Sequence, residues 1–200
     1  MILRVALAQI NTTVGDLAGN RDKILAWMDR AREMKADIVP FPEMAITGYP
    51  PEDLLLKPDF VEAAVRVLHE IAPASKGLTA IVGCVWADDD LYNVAAVLHN
   101  GQLAGIYRKQ YLPNYGVFDE NRYFRPGQQR LVFSRNGVLF GVSICEDIWY
   151  PDGPPEAQAS HAGAELLINI SASPYHMGKG QSRERMLATR AADNTAFVAY

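Results

Sequence analysis

The segment that most constrains the fold is an apolar stretch that ends in a cysteine and two carboxylates. Residues 138–144 are apolar and rich in β-branched side chains, and Arg135-Asn-Gly137 before them is typical of a turn. The pattern predicts a buried strand that follows a tight turn. Cys145, Glu146 and Asp147 come directly after it. A cysteine at the end of a core strand would be held rigidly while its sulfur faces an open cleft.

Strand and helix patterns alternate along the chain, and short turns join some neighbouring strands into hairpins. Asn100-Gly101 and Arg135-Asn-Gly137 are predicted hairpin turns, and Asp59 is the predicted N-cap of a helix. Helices are predicted at 21–35, 59–71, 154–162 and 183–192. Strands are predicted at 3–10, 36–41, 78–86, 91–98, 103–107, 131–134, 138–144, 164–170 and 196–200.

This order of elements predicts an α/β fold in which two mixed sheets pack face to face with helices on the outside. Residues 1–200 suit a single domain with a sizeable core. The chain stops inside a predicted apolar strand, so we expect a domain that is truncated at its C-terminus. Residues 108–127 form a long polar and aromatic loop, and loops of that length in compact domains are usually functional.

The charge balance argues against several classes of partner. The formal net charge of -4 indicates no basic surface for nucleic acid or for an anionic membrane. No apolar run is long enough to span a bilayer, and the short apolar N-terminus lacks the charged leader and cleavage site of a signal peptide. Cys84 and Cys145 make no disulfide framework and no metal spacing, which favours a reducing, cytoplasmic location.

Three side chains of different chemistry share one kind of position. Cys145 ends a predicted strand, Glu43 follows the short strand end Val39-Pro-Phe-Pro42, and Lys109 stands where a hairpin strand ends. Taken singly, each has an ordinary structural explanation: a packed thiol, a turn-capping carboxylate and a solvated lysine. Together they matter more, because α/β folds gather their sites at the carboxyl ends of strands.

Chemistry explains why these three types would be wanted together. A thiolate is the nucleophile, and a free thiol has a pKa of about 8.5, so a nearby cation such as Lys109 would help to lower it. Glu43 could take the thiol proton and return it to a leaving amine. The four histidines lie in unrelated contexts, which argues against a Cys-His protease arrangement and against a metal site.

Three separated motifs carry a resemblance to a known family. The chain resembles the nitrilase (carbon–nitrogen hydrolase) superfamily in Phe41-Pro-Glu43 with Thr47-Gly-Tyr49, Tyr107-Arg-Lys109 with Leu112-Pro113, and Ser143-Ile-Cys-Glu-Asp147. The resemblance implies an α-β-β-α sandwich and a Glu-Lys-Cys triad. It assigns Glu43 as general base, Lys109 as oxyanion stabiliser, Cys145 as nucleophile and Glu120 as the second glutamate near the lysine.

Flanking segments narrow the resemblance to the glutaminase domains of glutamine-dependent NAD⁺ synthetases. These segments are 48–54, 112–124 and 169–176. The resemblance implies glutamine as substrate, no cofactor for its hydrolysis, and ammonia delivered to a C-terminal synthetase domain of the same protein that uses ATP and Mg²⁺. That synthetase domain is absent from this sequence. Homo-oligomers are also common in the family.

The same resemblance places further residues at the glutamine. They are Tyr49, Tyr115, Glu120, Glu146, Ser173 and Lys179. A carboxylate beside the nucleophile, such as Glu146, can bind the α-ammonium of an amino acid, and Lys179 could bind its carboxylate. Two alternatives remain open at this point: a free-standing amidase that acts on another small amide, and a non-enzymatic domain that serves as an oligomer interface.

Overall fold

A computed structural model describes residues 2–200 of the chain. Its helices are α1 (Leu17–Glu33), α2 (Pro58–Ile71), α3 (Pro154–Ser160) and α4 (Lys179–Asn194). Its strands are β1 (Ile38–Pro40), β2 (Thr79–Ala87), β3 (Leu91–His99), β4 (Gln102–Arg108), β5 (Val132–Arg135), β6 (Val138–Ile144), β7 (Leu166–Ile170) and β8 (Phe197–Ala199). Short 3₁₀ helices cover Glu52–Leu56, Ala72–Ser75, Glu120–Arg122 and Cys145–Ile148.

The strands of residues 2–200 form two four-stranded mixed sheets, as the sequence predicted. The first sheet has the order β1-β2-β3-β4, in which β1 and β2 are parallel and the other pairs antiparallel. The second has the order β5-β6-β7-β8, in which β5 and β6 are antiparallel and the other pairs parallel. Asn100 and Gly101 both have positive φ, which is the conformation that a tight two-residue hairpin turn requires.

Alternating side chains of the strands build two separate apolar layers. Ile81 of β2 packs with Val142 and Ile144 of β6 between the sheets. Its neighbours Ala80 and Val82 belong to the other layer, which lies beneath α1 and α2 because successive side chains of a strand point to opposite faces. Helices α3 and α4 contact the second sheet. The predicted α-β-β-α sandwich is therefore confirmed.

The start of α2 differs from the prediction. We expected Asp59 to be the N-cap, but the helix begins at Pro58 and Lys57 is its N-cap. Proline suits the first helical position because its fixed φ is already helical and its missing N–H would be unpaired there. Asp59 instead lies in the first turn, where a negative charge is favourable at the positive end of the helix dipole.

Two other predictions at element ends need correction. Helix α1 begins at Leu17 rather than at residue 21, because the Asp16 side chain caps it by accepting a hydrogen bond from Gly19 N at 2.9 Å. The predicted strand 3–10 is wrong as a regular strand. Besides the bridge from Val5 to Ile38, it pairs with β1 through hydrogen bonds from Ala6 N to Ile38 O at 2.9 Å and from Ala8 N to Pro40 O at 3.0 Å, so only its middle part runs along the sheet.

Helix α4 likewise begins at Lys179, earlier than the predicted 183. The glycine before it has a positive φ of 83°, a conformation that glycine adopts without steric cost. The earlier start places Lys179 one turn before Arg183 on the same face of the helix, and both contact Ser173.

One glycine allows the segment after β1 to lie directly on β2. A Cβ atom added to Gly83 would stand 2.2 Å from the carbonyl oxygen of Pro42 and 2.7 Å from Cα of Glu43. Both neighbours are backbone atoms, which cannot move aside as a flexible side chain can. The close approach fixes the position of Glu43 relative to the first sheet.

We predict that Gly83→Ala destabilises the protein by about 1–3 kcal/mol, as overpacking of a tight contact usually does. Gly180→Ala is a matched control, because nothing lies within 4 Å of the Cβ that it would add, and alanine favours a helix over glycine. Denaturant unfolding of both variants measures the effect. Equal stabilities for the two would contradict the close packing at Gly83.

Candidate active site

Cys145 is the first residue of the 3₁₀ helix Cys145–Ile148 and lies at the sharp turn directly after β6. Its φ is 45°, a left-handed value that is uncommon for residues with a side chain and costs free energy. Such strained positions cluster at functional sites, where a strand-to-helix turn presents a nucleophile. The thiol is almost fully buried, with 2% of the residue exposed.

Glu43 is buried and is held from three directions. Its Oε1 accepts hydrogen bonds from Lys109 Nζ at 2.7 Å and from Asn93 Nδ2 at 2.8 Å. Its Oε2 accepts one from the backbone N–H of Ala172 at 3.0 Å. These donors come from β3, from the end of β4 and from the segment after β7, so the orientation of the carboxylate depends on both sheets.

Lys109 is fully buried between two carboxylates. Besides Glu43, its Nζ donates to Oε1 of Glu120 at 2.8 Å. Burial alone would lower the pKa of Lys109, but the charges of Glu43 and Glu120 outweigh burial and hold the pKa above its ordinary value. A lysine in this setting is a permanent cation at neutral pH.

The same surroundings keep the Cys145 thiol neutral at rest. Burial is the largest cause that raises its pKa, and the negative charge of Glu43 adds to it, while Lys109 and a hydrogen bond from Ser171 oppose the rise. Lys109 therefore acts in the direction that we expected from the sequence, but the net pKa is raised. A thiol of this kind becomes nucleophilic only when a base removes its proton.

Glu120 completes a chain of buried polar groups with Tyr49. The Tyr49 hydroxyl donates to Oε1 of Glu120 at 2.9 Å, and within residues 2–200 no donor reaches Oε2 of Glu120. Burial raises the pKa of Glu120 from 4.5 to about 7, with a further rise from Glu43 and an opposing effect of Lys109. Glu120 thus contacts the lysine, as predicted, and Tyr49 contacts Glu120.

A second group of polar side chains surrounds Glu146. The Tyr115 hydroxyl lies 3.0 Å and 2.9 Å from the two carboxylate oxygens of Glu146, and the Tyr150 hydroxyl lies 3.4 Å from one of them. Glu146 is largely buried, whereas Tyr115 is more than half exposed. A depression of about 270 Å³ is lined by all three residues, so this carboxylate stands beside a space that a small cation could enter.

A third group gathers around Ser173. The serine hydroxyl accepts hydrogen bonds from Lys179 Nζ and from Arg183 Nη2, both at 3.1 Å. Two cations that converge on one neutral hydroxyl leave positive charge available for an anion. Ser173 and Arg183 also line a depression of about 150 Å³ together with Ser171 and Tyr200.

The structure brings the predicted residues into three neighbouring groups rather than one. Glu43, Lys109, Glu120 and Tyr49 form a continuous hydrogen-bonded set, and the charges of Glu43 and Lys109 both act on Cys145. The other predicted pairs, Tyr115 with Glu146 and Ser173 with Lys179, form their own contacts. Their contacts with a substrate stay a prediction.

Three residues that contact the site were given no role by the sequence reasoning. Asn93 orients Glu43, Arg183 joins Lys179 at Ser173, and Asp147 supports the turn at Cys145. Asn93 gave a usable signal, because it is a polar residue inside the otherwise apolar strand β3. Arg183 gave none, since an arginine in a charged helix is ordinarily solvated.

Within residues 2–200 no group of three or more His, Cys, Asp or Glu side chains is arranged to hold a metal ion. No helix in the same range is both long enough and apolar enough to cross a membrane.

We predict that replacing Glu120 by glutamine changes how stability depends on pH. An acid whose pKa is higher in the folded than in the unfolded state stabilises the fold at low pH, and that contribution is lost as pH rises from about 4.5 to about 7. The wild-type free energy of unfolding should fall across this window, relative to Glu120→Gln, by an amount on the order of 3 kcal/mol. Denaturant unfolding at several pH values measures it, with Glu184→Gln, an exposed carboxylate, as control. Parallel curves for wild type and Glu120→Gln would contradict the raised pKa.

Comparison with known proteins supplies the family. The family model "Carbon-nitrogen hydrolase" matches residues 4–200. The glutamine-dependent NAD(+) synthetase of Aquifex aeolicus is 49% identical over 201 residues, and that of Thermotoga maritima is 44% identical over 200 residues. These alignments cover 100% and 99% of this chain but 35% of each relative.

Solved structures agree with the sequence relatives. The glutamine-dependent NAD⁺ synthetase of Acinetobacter baumannii superimposes with a TM-score of 0.94 at 38% identity, over 99% of this chain and 38% of that one. An amidase from Nesterenkonia sp. AN1, with acrylamide added at its active-site cysteine, gives a TM-score of 0.87 at 25% identity, over 100% of this chain and 78% of that one. The chain therefore belongs to the carbon–nitrogen hydrolase family.

Proposed function

We propose that this chain is the glutaminase part of a glutamine-dependent NAD⁺ synthetase. In the proposal it hydrolyses the side-chain amide of glutamine and supplies ammonia to a synthetase domain of the same protein, in the cytoplasm. The observation that carries the proposal is the buried Glu43–Lys109 pair, whose charges act on the Cys145 thiol. The relatives named above support the choice of substrate.

The first step makes the thiol nucleophilic. The raised pKa of Cys145 means that its proton must leave as the sulfur attacks, and the Glu43 carboxylate takes it. The thiolate then bonds to the γ-carboxamide carbon of glutamine. Lys109 and the backbone N–H of Glu146 stabilise the oxyanion, because two donors that stand ready in a dry site favour the tetrahedral intermediate.

The following steps return the proton and release the enzyme. The protonated Glu43 donates to the departing nitrogen, and the C–N bond breaks to give ammonia and a γ-glutamyl thioester on Cys145. Glu43 then removes a proton from water, which attacks the thioester carbon. The C–S bond then breaks and Glu43 returns the proton to the departing sulfur, which gives glutamate and the free thiol. This half-reaction consumes one water and needs no cofactor.

Two polar groups would select an amino acid. The carboxylate of Glu146, with the hydroxyls of Tyr115 and Tyr150, would bind the α-ammonium of glutamine. Lys179 and Arg183, which already meet at Ser173, would bind its α-carboxylate. In the proposal Tyr49 acts through Glu120, whose carboxylate it contacts. ATP and Mg²⁺ belong to the synthetase domain.

The amidase from Nesterenkonia sp. AN1 favours a second candidate, a free-standing amidase on another small amide. The groups around Glu146 and Ser173 argue for glutamine instead, since a simple aliphatic amide would leave both unused. A panel that compares glutamine with acetamide, propionamide and acrylamide separates the two. Higher kcat/KM for the aliphatic amides would favour the second candidate. An oligomeric state stays a prediction.

We predict that Cys145→Ala abolishes glutamine hydrolysis, because the other cysteine, Cys84, is completely buried in the apolar layer beneath α1 and α2, with its thiol donating to the carbonyl of Val85 at 2.8 Å. In the longer protein proposed to contain this chain, NAD⁺ synthesis from added ammonium should continue at the wild-type rate. Ammonia release and NAD⁺ formation are measured in parallel. Glutamine-dependent synthesis that survives the substitution would remove Cys145 from its proposed role.

We predict that Glu43→Gln prevents formation of the thioester at neutral pH, since a carboxamide cannot accept the thiol proton. General base catalysis is typically worth about 10²–10⁴ in rate. Mass spectrometry of protein quenched during turnover should show the γ-glutamyl adduct in wild type and none in the variant. Glu62→Gln, at an exposed position on α2, is the matched control and should behave as wild type.

A further inference from the structure

Asp147 is completely buried and forms no salt bridge within residues 2–200, yet every lone pair that it offers is used. Its Oδ1 accepts hydrogen bonds from the backbone N–H groups of Gln110 and Tyr111 at 3.1 Å and 2.8 Å. Its Oδ2 accepts from the backbone N–H of Ile144 at 3.0 Å and from the Tyr107 hydroxyl at 2.8 Å. The residue is 0% exposed.

These four donors flank two residues of the proposed triad. Tyr107 precedes Lys109 by two positions and Gln110 follows it directly, while Ile144 directly precedes Cys145. One carboxylate thus joins the segment that carries the lysine, in the first sheet, to the strand end that carries the thiol, in the second. Within residues 2–200, four hydrogen bonds to the Asp147 side chain thus connect the Lys109 segment with the Cys145 segment.

We propose that Asp147 is a positioning residue that sets the distance between the Lys109 ammonium and the Cys145 sulfur. The inference rests on the proposed function, because it concerns the alignment of the same reacting groups. Asp147 itself touches no reacting atom in this proposal. It acts through the backbone next to Lys109 and Cys145, the two residues that do touch the reacting atoms.

The chemistry of the donors explains why a carboxylate is needed. All four partners donate, and only an ionised carboxylate offers acceptors alone. Burial raises the pKa of Asp147 to about 6, while hydrogen bonds from Tyr111, Ile144 and Tyr107 oppose the rise, as does the charge of Lys109. The carboxyl group is therefore mainly ionised at neutral pH.

The turn at Cys145 gives this clamp a specific purpose. A residue with φ of 45° returns to a common backbone conformation unless its surroundings hold it. The hydrogen bond from Ile144 N to Asp147 fixes the residue directly before the strained one. Loss of that bond would let the sulfur move relative to Lys109, and a misplacement of about 1 Å can cost about 10²-fold in rate.

The experiment compares Asp147→Asn and Tyr107→Phe in the chain described here. Asparagine keeps the shape of the side chain but turns an NH₂ group toward donors, whereas phenylalanine removes one of the four hydrogen bonds. Tyr123→Phe is the matched control, because the Tyr123 hydroxyl contacts only Asp53 at the surface. Circular dichroism gives the folded fraction of each variant, so that all rates are expressed per folded molecule.

We expect kcat for glutamine hydrolysis per folded molecule to fall about 10²-fold or more in Asp147→Asn, with a much smaller change in KM. Tyr107→Phe should show a smaller loss, and the double variant should lose no more than Asp147→Asn alone, since both act on one contact. A second readout does not need glutamine. The rate at which iodoacetamide alkylates Cys145, followed as a function of pH, should be lower in Asp147→Asn than in wild type at each pH, because a displaced Lys109 stabilises the thiolate less.

Other outcomes separate the two proposals. Wild-type kcat per folded molecule and an unchanged alkylation profile in both variants would overturn the positioning role, whatever their stability. If Asp147→Asn does not fold, the same two measurements on Tyr107→Phe test the positioning role. A loss of kcat per folded molecule supports that role, and wild-type values in both measurements overturn it. A wild-type chain without glutaminase activity would count against the proposed function alone, and the alkylation profile would still test the clamp.

Discussion

The buried ammonium of Lys109 is the interaction on which the rest of the site depends. An ion of this size loses several kcal/mol of hydration when it is buried, and the interior repays that loss only through well-placed counter-charges. Here Glu43 and Glu120 each approach it within 3 Å. Removal of one partner from such a set typically costs about 3–5 kcal/mol. The segments after β1 and after β4 and the 3₁₀ helix Glu120–Arg122 are therefore held together by charge as well as by packing.

The same charges set the resting state of the chemistry. Burial raises the pKa of both Glu120 and the Cys145 thiol, the negative charge of Glu43 adds to the rise, and Lys109 offsets only part of it. A neutral thiol resists alkylation and oxidation while no substrate is bound. The nucleophile would then form only when a substrate carbonyl is present to receive the charge. Stability and reactivity are thus two consequences of one electrostatic arrangement.

Much of this arrangement follows from patterns that are local in the sequence. The strand 138–144 has the predicted bounds, because an apolar β-branched run after an Asn-Gly turn leaves few alternatives. The proximity of Glu43 and Lys109 could be anticipated from strand ends and from family resemblance. The hydrogen bonds from Asn93 and from Ala172 N to Glu43 could not, since they depend on which strands are neighbours and on the backbone path after β7. The bounds of segment 3–10 were misjudged for a related reason: an apolar run does not reveal that only residues 4–8 pair with the backbone around β1.

The hairpin formed by β3 and β4 limits where residues can be inserted in this chain. Asn93 and Lys109 face each other across it, and the backbone N–H of Lys109 donates to the carbonyl of Asn93 at 2.9 Å. Because side chains alternate along a strand, a slip of one position would turn the lysine away from the carboxylates. The pairing of β3 and β4 already contains one irregularity, after Val97. A further residue at the tip, between Asn100 and Gly101, that no second bulge took up would shift the register at the far end of the hairpin. The length of this surface turn is therefore constrained by Asn93 and Lys109, although these residues lie at the opposite end of the hairpin.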